Sequence, residues 1–189
     1  MSLRAARVTL ALYLFAIYAT LGVVRTITNF LRDRGLLRVS VVAAFGIAAA
    51  ALLWLIFRDP RNRTWRTVVA LLVIAAAYAI VIYPMSSPEE KIHFIEYGGV
   101  ALLAHASAPR RFVACALFVC AVGWLDEGIQ ALLPSRVYDL RDVGFNAAAG
   151  LMALVAIAIF FPRERPVGTD RSEAVARDAD HGRPRRDRA

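Results

Sequence analysis

Apolar residues run in long blocks along this chain, and short polar breaks rich in arginine, proline or acid separate them. A block must supply about 17–25 residues to cross roughly 30 Å of hydrocarbon as a helix. Six blocks reach that length or, for 68–83, come within one residue of it: 8–24, 41–57, 68–83, 88–107, 111–133 and 142–161. None alternates with period two, so the pattern predicts an all-α transmembrane bundle of about six spans and no sheet. The first block follows Arg4 and Arg7 as a signal peptide would, but it outruns a typical h-region and no small-x-small site follows, which makes it an uncleaved span.

The breaks are informative in their own right. The segment 58–66 carries four arginines and Pro60, a firm boundary between the second and third spans. Ser87, Pro88 and Glu90 have the spacing of a capping box, so the fourth span starts at Pro88. Pro134 ends the fifth span and Pro162 the sixth. The stretch from Arg25 to Arg38 mixes apolar side chains with four arginines and reads equally as a short interfacial helix or as a loop. Residues 163–189 hold eight arginines and six acids with little apolar content, the composition of a disordered tail. The chain thus divides into a transmembrane domain, 1–162, and that tail.

Composition agrees with the periodicity. Of 189 residues 59% are hydrophobic and the mean hydropathy is +0.53, against roughly 45–50% apolar in ordinary soluble domains. Net charge is +8, and Lys91 is the single lysine among 23 cations. Those cations punctuate apolar runs instead of gathering on one folded surface, so the expected partner is the lipid bilayer and nucleic-acid binding is set aside. Cys115 and Cys120 share one helix, about 7.5 Å apart in rise and on different faces, and cannot pair. Across six spans, Lys and Arg number 16 on the side of both termini and 7 on the other. The positive-inside rule therefore puts both termini in the cytoplasm, with the tail deciding the count.

Ionisable groups inside spans are costly, roughly 2.5–3.5 kcal/mol each at the bilayer centre, so they need partners, water or a function. Here they gather in the last three spans. The fourth carries Glu90, Lys91, His93, Glu96 and Tyr97; the fifth carries Asp126, Glu127 and Gln130; the sixth opens with Asp142 and continues to Asn146 and Gly150 at steps of four. At about 1.5 Å per residue, His93, Asp126 and Asn146 fall into one layer near the same end of three antiparallel helices. So many polar groups at one depth exceed what helix association requires, and they predict an outward-facing pocket. Gly150 would let a neighbouring helix approach closely.

Three blocks carry a family resemblance. Glu90-Lys91-x-His93-x-x-x-Tyr97, Asp126-Glu127-x-x-Gln130-x-x-x-Pro134-x-Arg136 and Asp142-x-x-x-Asn146-x-x-x-Gly150 together resemble the VanZ-like membrane proteins over about residues 88–150. The family pattern usually has Asp before the lysine; Glu90 keeps the carboxylate there. The resemblance implies an integral protein of the bacterial envelope, in the cytoplasmic membrane, whose motif residues form its working surface. The family's namesake is associated with teicoplanin resistance.

The expected ligand pocket therefore comprises Glu90, Lys91, His93, Tyr97, Asp126, Glu127, Gln130, Arg136, Asp142 and Asn146. Lys91 and Arg136 would hold an anionic headgroup, and Asp126, Glu127 and Gln130 polar or cationic parts of a lipid-linked wall precursor or lipoglycopeptide. A second reading is an intramembrane hydrolase or transferase, with His93, Glu96, Asp126 and Glu127 as the acid–base candidates. A third is a proton-coupled transporter. No metal-ligand spacing or cofactor motif occurs, so no cofactor is expected.

Overall fold

The computed structural model describes residues 1–85, 87–133 and 138–161, with the side chain of Glu89 outside that description. Arg136 and the tail at 163–189 also lie outside the described residues. Six helices and no strand occur among the described residues: α1 Leu3–Asp33, α2 Leu37–Phe57, α3 Trp65–Ile82, α4 Pro88–Ser107, α5 Phe112–Gln130 and α6 Leu140–Phe160. Five of them, all but α4, are long and apolar enough to cross a membrane.

The outer surface is apolar. Leu12, Phe15, Ile47, Leu72 and Ile80 are all exposed, and with five helices apolar enough to span they form a surface suited to a hydrocarbon solvent. Trp54 and Trp65 stand exposed at the facing ends of α2 and α3, each with an arginine, Arg58 or Arg66, over its ring. This is the arrangement expected at a membrane–water interface. The chain is a membrane-embedded helical bundle.

The fourth helix, the one without a stretch apolar enough to count as a span, occupies the centre. It packs on α1, α2, α5 and α6, and Tyr97, Val100 and Ala101 are wholly buried there. Packing against four helices gives a helix with this polar load protein neighbours in place of lipid over much of its surface. Pro88 is its first residue and Ser87 its N-cap, as the sequence indicates, but the Ser87 side chain does not accept from the first-turn amides. Glu90, expected to complete a capping box, lines a cavity instead.

Neither expectation for Arg25–Arg38 describes its structure. The first helix continues unbroken to Asp33, 31 residues in all, or about 46 Å. Its last turns therefore outrun the apolar layer. Charges end a hydropathy block but do not end a helix; the stop is Gly35, at φ 69°. The Leu36 amide donates to Leu31 O and the Gly35 amide to Arg32 O, the two bonds of a Schellman motif that needs the left-handed residue.

The turn after α2 is also locally determined. Asp59 accepts from the Arg61 amide at 3.0 Å, and that bond together with the Arg61 guanidinium holds its carboxyl below the usual value. Asn62 Nδ2 donates to Ile56 O and Phe160 O, tying this turn to the end of α6.

Candidate functional site

The last three helices meet where two glycines allow it. A Cβ added at Gly123 would lie 2.8 Å from Asn146 Cβ, and one at Gly150 would collide with the Val119 side chain. The second contact is the close approach expected of Gly150. It brings α5 and α6 near enough for Asn146 Nδ2 to donate to Gly123 O at 3.4 Å.

A buried polar layer forms at this level. Tyr97 Oη donates to Asp126 Oδ2 at 2.9 Å. One turn on, Gln130 Nε2 donates to both Asp126 Oδ1 (3.3 Å) and Glu127 Oε1 (3.1 Å). Asp126, Glu127 and Asn146 are 0% exposed. Among the described residues neither carboxylate is ion-paired; the donors come from tyrosine and amide side chains. Glu127 Oε2 and Asn146 Oδ1 are buried without a hydrogen-bond partner among the described residues. Two tyrosines of α1 close the layer, Tyr13 donating to Glu96 O at 3.3 Å and Tyr18 to Val122 O at 3.1 Å.

Beside this layer is a cavity of about 290 Å³ between α1, α4 and α6. Ser87, Glu90, His93 and Glu96 line it from α4 and its N-cap, and Asp142 from α6. His93 Nδ1 lies 3.4 Å from Glu96 Oε2, one turn along the helix. The His93 ring is 6.3 Å from that of Tyr97, so one aromatic contact joins the cavity to the buried layer. The α1 wall supplies Thr20, Arg25, Thr28, Asn29 and Arg32.

Sequence reasoning missed that wall. The cations in the lining are Arg25 and Arg32, whereas Lys91 is on α4 but outside the lining. The signal was present: Arg25, Thr28, Asn29 and Arg32 are spaced by three and four, a polar helical stripe. Arg32 also donates from Nη1 to Asn29 Oδ1 at 2.6 Å. The expected residues therefore divide into two sets. Tyr97, Asp126, Glu127, Gln130 and Asn146 form the buried layer, and Glu90, His93, Glu96 and Asp142 line the cavity.

Guanidinium groups on one wall and carboxylates with an imidazole on the other suit a ligand carrying an anionic group next to a cationic or hydroxyl-rich one. Among the described residues no three His, Cys, Asp or Glu side chains gather as metal ligands. Compared with protein-family profiles, curated proteins and solved structures, the chain matches none. Fold and site together define an all-α membrane-embedded protein with a polar cavity at one end of its bundle.

Proposed function

We propose that this chain is a VanZ-like protein of the bacterial cell envelope whose outward-facing cavity engages the headgroup of a lipid-linked wall precursor or lipoglycopeptide. The observation that carries the reading is the convergence of three sequence blocks, on α4, α5 and α6, at one polar layer and its adjoining cavity. Arg25 and Arg32 hold the anionic part; Glu90, Glu96 and Asp142 meet cationic or hydroxyl groups. A volume of about 290 Å³ is at the low end of the roughly 300–1,000 Å³ of small-molecule sites. It takes a phosphate or a sugar with one end of an acyl chain, not a whole glycopeptide.

Orientation follows from charge. Arg4, Arg7, the arginines of 58–66, Arg110 and Arg111 give one end eight cations against seven at the other, and the eight arginines of 163–189 decide the count for the end of both termini. This excess favours that end as cytoplasmic and the cavity as external, in a bacterial cytoplasmic membrane.

The test is susceptibility of a bacterial host to teicoplanin and vancomycin, with wild type, Asp126→Asn and empty vector at matched membrane expression. Protection against teicoplanin by wild type alone supports the reading. Absence of protection in every strain removes glycopeptides as ligands. The His93–Glu96 pair favours a second reading, a hydrolase or transferase on a lipid-linked substrate with His93 as general base. Turnover of such a substrate by wild type, abolished in His93→Ala, would favour the enzyme over the binding protein.

A further inference from the structure

At the opposite end of the bundle, where α1 begins, α4 ends and α5 begins, a second cavity of about 260 Å³ opens. Arg7 and Arg111 line it with Ser107, and the rest of the lining is mainly apolar, including Leu10, Ala114 and Phe118. No acid lines this cavity, and none occurs in residues 1–32 or 97–125. Neither arginine makes an ion pair with another described residue.

Two further features point to an anion. Ser107 is 7% exposed, and its buried Oγ has no hydrogen-bond partner among the described residues. The fifth helix starts without a side-chain cap, so its first-turn amides, next to the cavity-lining Ala114, add unfilled donors and the positive end of the helix dipole. The opposing dipole end, of α4, is partly answered by Cys115 Sγ, whose single proton is shared between Ala104 O and Ala108 O. Two guanidinium groups, a hydroxyl and a helix N-terminus are a phosphate-binding donor set.

We propose that this second cavity binds the phosphodiester headgroup of an anionic phospholipid. The lipid is the source, in preference to free phosphate, because the site combines its donors with apolar walls. Leu10 packs against the core and Phe118 is 37% exposed at the bundle surface, a path for the glycerol and acyl portion alongside the helices. Arg7 and Arg111 sit at helix ends, at the depth of the headgroups. The site is separate from the cavity of the proposed function and does not rest on it.

The test is native mass spectrometry of the full chain released from nanodiscs holding phosphatidylglycerol and phosphatidylcholine in equal amounts. Wild type should retain one phosphatidylglycerol in preference to phosphatidylcholine. Arg7→Gln with Arg111→Gln should lower that retention about a hundredfold, since each lost charge-assisted contact is worth about a factor of ten. Ser107→Ala should lower it several-fold. Arg58→Gln with Arg66→Gln removes equal charge from the same end and should leave retention unchanged. Equal retention in the Arg7/Arg111 variant, or equal loss in both double variants, overturns the site. Displacement of the lipid by inorganic phosphate as readily as by a soluble glycerophosphodiester headgroup overturns the lipid as its source. Both arginines are exposed, and unchanged far-ultraviolet circular dichroism checks that the variants fold.

Discussion

Alanine at Gly150 and at Gly144 should move stability in opposite directions, although both glycines lie on α6. An added Cβ meets nothing within 4 Å at Gly144, whereas at Gly150 it collides with Val119. Val119 is wholly buried and β-branched, so it has neither space nor a spare rotamer with which to yield. At the open position alanine gains about 0.5–1 kcal/mol of helix propensity. At the closed one overpacking costs about 1–3 kcal/mol. The two variants should therefore differ by about 1.5–4 kcal/mol. Gly128 and Gly123 on α5 repeat the contrast: Gly128 is open, and a Cβ at Gly123 meets Asn146. The assay is unfolding of purified protein in mixed micelles by rising dodecyl sulfate, followed by helical circular dichroism. A Gly150→Ala protein as stable as Gly144→Ala would refute the close α5–α6 packing on which the polar layer depends.

Tyr97→Phe removes the donor to Asp126 and should cost about 0.6–1.7 kcal/mol in the same titration, the range of interhelical hydrogen bonds in membranes. Gln130→Ala removes the amide shared by Asp126 and Glu127; activity in the susceptibility assay should fall to the empty-vector level while membrane insertion, read by fractionation, is kept. Deleting 163–189 should leave that activity intact, because every residue assigned to the cavity and the polar layer lies before it.

The helices are largely legible in the sequence because they obey hydropathy and punctuation. Four begin within four residues of the expected position, and α4 spans Pro88–Ser107 as expected. The discrepancy at α1 has a specific cause. Hydropathy reports where lipid ends, and Arg25 and Arg32 lie beyond that point on a helix that continues to a glycine stop. Depth alone groups His93 with Asp126 and Asn146, but His93 lines the adjoining cavity and Tyr97 joins the buried layer in its place; the common level of Asp126 and Asn146 is legible, since antiparallel spans turn residue number into height. The partner of α4 on its Glu90–His93–Glu96 face is not, because no local pattern states that α1 packs there. For that reason proximity in sequence points to Lys91 for a role that the cavity gives to Arg25 and Arg32.

Cysteine accessibility in intact cells tests most directly the claim that the polar cavity opens outward. In a Cys115→Ser, Cys120→Ala background, Asn29→Cys sits in the polar cavity and Ala114→Cys in the cavity at the other end. A membrane-impermeant thiol reagent applied from outside should label Asn29→Cys at once and Ala114→Cys only after permeabilisation. Labelling of Ala114→Cys from outside, with Asn29→Cys protected until the membrane is opened, would contradict the account.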